Sequence, residues 1–286
     1  MKYRRLYFLI SALVILPGLF SLFKFGLKPS VDFTGGTLLE IKGENLSKEI
    51  IQKSVEETKV VLNSQQKSSG NIVILRFSEL RENEKEEFIK KTKENSGKDL
   101  EIIRYETLGP SLGKELLIKT GVGMLLAILA ILLFINSQFK DKTFGTCAIL
   151  AMLHDTLVMF GSLSLLGHFF GAEIDSLFVT AVLTILSFSV HDTVVVYDRI
   201  RELKKTNSKL EIEEAADTAV SQTMRRSISN SLTIIFMLLA LVFLGGETTK
   251  WFAVALLIGT ISGTYSSTFV AVPLLVVWKK LRKKNL

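Results

Sequence analysis

Residues 177–201 read LFVTAVLTILSFSVHDTVVVYDRIR, an apolar run that ends abruptly in charge. The pattern predicts the last turns of a membrane-spanning helix, which places His191 and Asp192 inside the bilayer, about six residues or ~9 Å short of the polar exit at Tyr197 and Asp198. A carboxylate near mid-membrane costs on the order of 3 kcal/mol unless it faces a bundle interior, finds a partner or takes up a proton. Asp192 is therefore a candidate for proton-linked or gating work, the plain alternative being a buried hydrogen bond that fixes helix rotation. Thr180, Thr184, Ser187 and His191 fall on one helical stripe, while Asp192 lies about 100° round, above Ala181 and Phe188. With two polar faces, this helix belongs at the centre of a bundle.

Apolar runs of similar kind occur at 6–25, 116–135, 144–166, 232–244 and 251–278, which with 177–197 makes six candidate spans, judged against the ~20 residues needed to cross. The fold class expected is an α-helical integral membrane protein with six transmembrane helices and one small α+β extracytoplasmic domain. The boundaries read as 1–26 for the first helix, 27–115 for the external domain, and 116–286 for a five-helix membrane domain with a cytoplasmic loop at 198–226. The 286 residues contain one cysteine, Cys147, so neither an internal disulfide nor a cysteine zinc site can form.

Lys and Arg set the orientation. Lys2, Arg4 and Arg5, then Lys140 and Lys142, then Arg199, Arg201, Lys204, Lys205, Lys209, Arg225 and Arg226, and finally Lys279 to Lys284 all flank one side. Only Lys250 marks the opposite short loops. The positive-inside rule then puts both termini in the cytoplasm of a cytoplasmic (inner) membrane protein and the long polar segment outside. The formal net charge of +7 is thus mostly a topology signal. Nucleic acid is not expected as a partner, because the basic residues flank spans and form no aromatic-rich face. The first span follows KYRR as a signal peptide would, but no A-x-A-like site follows it, so it is expected to remain as an anchor, kinked near Pro17 and Gly18.

The external segment opens with VDFTGGTLLEIKG, in which Asp32 precedes Gly35 and Gly36 and a strand runs from Thr37 to Lys42. Ser47 caps a helix to Thr58. Strands at 59–63 and 71–77 flank the turn-rich QQKSSG, a helix covers 81–95, and a last strand covers 100–106. That order, βαββαβ, is the ferredoxin-like split pattern. The segment has no His and no Cys, and its acids alternate with lysines as on a solvated helix face. No enzyme site is read here, leaving a binding or lever role, or a spacer. The GPSLGKELL stretch then marks a structured turn at the membrane surface through Gly109, Pro110 and Gly113.

The third span reads FGTCAILAMLHDTLVMFGSL and carries Asp155 about eleven residues, ~16 Å, from its cytoplasmic start. His154, Asp155 and Thr156 repeat as His191, Asp192 and Thr193. The apolar core of the fifth span is only about thirteen residues, ~20 Å, against a ~30 Å hydrocarbon layer. The helix is expected to borrow residues 225–231, which brings Arg226 and Asn230 to about the depth of Asp192 and makes Arg226 its natural counter-charge; membrane thinning or snorkelling is the alternative. The loop segment before this span, LEIEEAADTAVSQTMRR, is expected to lie helical along the membrane surface. Gly259, Gly263, Ser266, Ser267 and Thr268 in the sixth span read as a close-packing face, with a transport path the lesser reading.

VDFTGGT after the first span, GPSLGKEL before the second, LHD in the third and SVHDTVVVYDRIRE leaving the fourth together resemble the SecD/SecF family of Sec export proteins, over the whole chain. The resemblance implies a subunit that pairs with SecD to complete a twelve-span core similar to that of resistance-nodulation-division transporters. Such a complex uses the proton gradient to assist export of unfolded polypeptides through the Sec channel, in contact with membrane lipids and with no cofactor. By the same likeness Asp192 and Arg226 match an acid and base linked to proton passage. From their place in the spans, Asp155 and His191 are further proton-coupling candidates, with Asn230 and His154 as polar support. A buried acid beside a base can alternate between neutral and charged states and so bias two helix arrangements. The alternatives are a small-molecule or lipid exporter of the same superfamily and a passive assembly scaffold. Neither reading makes the chain an enzyme.

Overall fold

Gly36–Lys42 (β1) is an inner strand of a four-stranded sheet and is buried along almost its whole length. The structure, a computed structural model, describes residues 1–67, 71–139 and 141–284. The end of the expected turn at 65–70 and Lys140 of the basic set lie outside the described residues. Two compact units form, residues 29–121 and residues 1–28 with 122–286, and each has its own core.

In the first unit a one-turn helix α2 (Val31–Thr34) leads into β1, followed by α3 (Lys48–Thr58), β2 (Leu62–Lys67), β3 (Ile72–Phe77), α4 (Glu82–Ser96) and β4 (Glu101–Leu108). The sheet order is β2-β3-β1-β4, antiparallel throughout, as the split βαββαβ pattern requires. Leu39 pairs with Leu75 and Ile41 with Val73. These side chains share one face and meet Ile51 of α3 and Phe88 of α4 in a closed core, with Phe77 edge-on to Phe88 at 5.2 Å. Ser47 caps α3 by accepting from the Ile50 N–H. The second strand begins and ends about three residues later than the sequence suggests. Its Asn63–Lys67 stretch is polar because β2 is a sheet edge with both faces partly in solvent, and its register shifts after Leu62.

The second unit contains α1 (Arg4–Phe25), the larger part of α5 (Pro110–Gln138), α6 (Lys142–Phe170), α7 (Ser176–Thr206), α8 (Ile212–Leu244), α9 (Glu247–Ser266) and α10 (Val272–Lys284). Among the described residues six helices are long and apolar enough to cross a membrane, the last running from Thr249 to Arg282. That one contains a wide π-helical turn at Ser267–Ala271. Leu13, Phe23, Leu133 and Phe134 point outward from α1 and α5, which suits an apolar solvent. The interior is made by α6, α7 and the last span. Gly18 and Gly161 bring α1 and α6 into backbone contact: a Cβ at Gly161 would stand 2.6 Å from the Cα of Gly18. Likewise a Cβ at Gly259 would meet Ile185 at 2.4 Å, so the small-residue face packs α9 directly on α7. The acidic-to-basic segment after residue 211 is no separate helix. It is the first half of α8, because nothing between Ile212 and Leu244 breaks the helical run.

Candidate functional site

Asp155 sits on the inward face of α6 and is 1% exposed. Its Oδ1 accepts from Ser262 Oγ at 2.6 Å and lies 3.0 Å from His154 Nδ1. Its Oδ2 accepts from Ser189 Oγ and Ser266 Oγ, both at 2.6 Å. A carboxylate offers about four lone-pair positions, and four donors fill them. Ser189 comes from α7, while Ser262 and Ser266 stand one turn apart on α9, so the carboxylate ties three helices together. His154 is itself buried. Its ring lies 6.3 Å from that of Tyr265 on α9.

Asp192 stands one turn beyond Ser189 on α7 and is also buried. Its surroundings are sparser. Among the described residues its carboxylate accepts from one side chain, Ser227 Oγ of α8. Ser231, a turn further along α8, donates to the Ser227 carbonyl at 2.8 Å and accepts from Thr264 Oγ1 of α9 at 2.6 Å. Thr193, next to Asp192, keeps a buried hydroxyl without a partner among the described residues. The C-terminal half of α7 is fixed by Tyr197, fully buried, whose hydroxyl donates at 2.8 Å to the Ala271 carbonyl in the π-helical turn. Such turns release carbonyls from the helical ladder, and Tyr197 satisfies this one while packing edge-on against Phe139 and Phe144.

Arg226 does not meet Asp192. It is exposed on α8, as is Asn230, and among the described residues it has no ion-pair partner. The borrowed stretch does enter the helix, but the residue it presents to Asp192 is Ser227, rotated about 100° from its neighbour. His191 is exposed too, together with Thr180, Thr184 and Ser187 of its stripe. The sequence reading missed Ser189, Ser227, Ser262 and Ser266 as donors. Serines four apart, as at 262 and 266, were the available signal, and they were read as packing residues.

In the sheet-containing unit the glycine and turn motifs converge. Gly35 has φ +73° and Gly36 φ +116°, values that side-chain-bearing residues avoid. A Cβ at Gly35 would lie 2.6 Å from Pro110 Cα, and one at Gly113 would lie 2.7 Å from Gly35 N. The first turn of α5 is thus seated on Gly35. Gly36 is held instead against the Phe77 carbonyl, 2.6 Å from where a Cβ would be. Gly109 faces open space. Asp32 offers its N–H to the Ser30 hydroxyl at 3.2 Å. Among the described residues no group of three or more His, Cys, Asp or Glu could hold a metal ion.

Residues 88–281 match the family described as "Protein export membrane protein SecD/SecF, C-terminal", and residues 20–45 match "SecD/SecF GG Motif". The protein translocase subunit SecF of Thermobaculum terrenum is 41% identical over 97% of this chain and 93% of its own length. That of Anaerolinea thermophila is 36% identical over 99% and 94%. Among solved structures, SecDF of Thermus thermophilus, titled a translocon-associated membrane protein, superposes with a TM-score of 0.86 at 32% identity. It covers 98% of this chain, which spans only 38% of that longer one.

Proposed function

The chain belongs to the SecD/SecF family of protein-export membrane proteins, and on that premise we propose that proton binding at Asp192 is the step by which it lends the proton-motive force to export. It is a multi-pass membrane subunit of the accessory complex of the Sec protein translocase. The relatives' names do not favour the small-molecule exporter reading. SecD is the proposed partner, since the Thermus chain named SecDF carries this sequence as about a third of its length. Arg226, Asn230 and the His191 stripe face outward from helices that cross the membrane, and a polar surface at that depth calls for a protein partner. Both termini are assigned to the cytoplasm from the Lys and Arg distribution. The Sec channel and unfolded polypeptides follow as further partners.

The observation that carries the proton reading is the contrast in hydrogen bonding. Asp155 is held by four hydrogen bonds from His154, Ser189, Ser262 and Ser266. Asp192 accepts one side-chain hydrogen bond among the described residues, from Ser227, and keeps lone-pair positions open. Protonation there removes a charge from the α7 and α8 contact, and loss of a charge is the kind of local change that shifts a two-state packing. The test uses membrane vesicles carrying the complex: Asp192→Asn should abolish the part of export that depends on the proton gradient while the subunit still inserts and co-purifies with SecD. Wild-type gradient dependence in that variant would sink the proposal.

A further inference from the structure

Beyond the proton site, we propose that a crevice between α1, α6 and α9 binds a neutral single-chain amphiphile through a hydroxyl end. The cavity measures about 300 Å³, at the small end of ligand pockets. That is room for about ten groups of water size. Its walls are mostly apolar, with Ile10 and Val14 of α1, Val158 of α6 and Ile261 of α9. Ile10, Val14 and Ile261 are 42%, 45% and 52% exposed, so the mouth opens sideways among membrane-spanning helices rather than toward either aqueous side.

Two buried polar atoms lining this crevice have no hydrogen-bond partner among the described residues: His154 Nε2 and Ser11 Oγ. Their residues are only 8% and 7% exposed. An unsatisfied buried polar group costs about 1–3 kcal/mol, and two in one apolar cavity point to a guest that serves both. The chemistry of the guest follows from the far side of the imidazole. Nδ1 lies 3.0 Å from the Asp155 carboxylate, which only accepts, so Nδ1 carries the proton. In the neutral ring Nε2 is then an acceptor, and the guest must donate to it. The Tyr265 hydroxyl, at the same wall, gives its proton to the Tyr7 carbonyl at 2.8 Å and has none for Nε2, while its oxygen stays near Ser11 as an acceptor. Ser11 can donate to the guest in return. A hydroxyl does both jobs at once. A carboxylate or phosphate end has no proton for Nε2 and adds a second negative charge beside Asp155. An ammonium would be stripped of water by isoleucine and valine walls. A fatty alcohol or the glycerol end of a single-chain lipid fits.

The experiment takes the full chain with its membrane partner in lipid nanodiscs and uses two photoactivatable diazirine probes, an octanol and the matching octane. The octanol should label α1 around Ser11 and α9 around Ile261, excess plain octanol should compete it away, and it should exceed the octane there by roughly five- to tenfold. Ser11→Ala, which keeps the fold, should cut that preference by several fold without changing octane labelling. Val14→Trp should fill the cavity and remove both signals. Equal labelling by the two probes in the wild type would mean an apolar gap with no recognition and would overturn the proposal. So would labelling that appears only once the partner is removed, since a protein segment would then own the crevice. Absence of labelling at these segments in the wild type overturns it as well.

Discussion

The chain writes His-Asp-Thr twice in its membrane helices, at 154–156 and at 191–193, and surrounds the two copies differently. At Asp155 two oxygens receive four donors from three segments of chain. At Asp192 the same side chain, similarly buried, receives one. His154 turns inward onto its aspartate, whereas His191 turns outward. The lesson is that burial alone does not assign a role to a membrane carboxylate. What separates a fixed anion from a proton carrier is how many of its lone pairs are already spoken for. Asp155 bonds to side chains of α6, α7 and α9, and on the proposed reading Asp192 is the group left able to change.

That contrast can be broken most forcefully by the two Asp→Asn replacements read side by side. Asp192→Asn should remove gradient-driven export altogether and leave the thermal unfolding of the solubilised complex nearly unmoved. Asp155→Asn should do the reverse in kind. Its amide cannot accept from four donors, and the orphaned groups should lower stability by on the order of 3 kcal/mol, with export falling only as folded protein falls. Equal export defects at equal folded amounts would erase the distinction. A finer cut comes from the serines. Ser189→Ala, Ser262→Ala and Ser266→Ala should each cost about 1–3 kcal/mol in unfolding measurements, with sub-additive doubles because they share one carboxylate. Ser227→Ala should cost less stability than these and lower gradient-driven export a few-fold.

A smaller effect in the external unit marks where the comparison stops. Gly35→Ala should impair export, because φ +73° and the 2.6 Å approach to Pro110 leave no place for a methyl group. Gly109→Ala, facing open space, should be near neutral. Export assays paired with the folded amount of each variant would check both, and neither change should disturb proton binding at Asp192.

Much of this architecture was legible in the residues. Hydropathy located six spans because a bilayer demands long apolar runs, and the external βαββαβ order followed from turn residues and caps such as Ser47. The positions of Asp192 and Asp155 along their helices were legible for the same reason, since distance along a helix is arithmetic. Rotation is not. The argument that brought Arg226 to the level of Asp192 was correct about the helix and wrong about the face, and one residue, Ser227, makes the difference. The anchor at Asp155 was hidden because Ser262 and Ser266 in a run with Gly259 and Gly263 look like residues chosen for smallness. They are small and they also donate. The later start of β2 was hidden because an edge strand tolerates a polar sequence such as Gln65, Gln66 and Lys67.

The claim that Asp192 takes the proton while Asp155 holds its charge can be tested by infrared difference spectroscopy of the complex in membranes as pH is lowered. A protonated carboxylic acid in an apolar site gives a carbonyl stretch distinct from that of an ionised carboxylate. The account predicts a pH-dependent band of this kind that vanishes in Asp192→Asn and persists in folded Asp155→Asn. A band that survives Asp192→Asn and disappears in Asp155→Asn would contradict it.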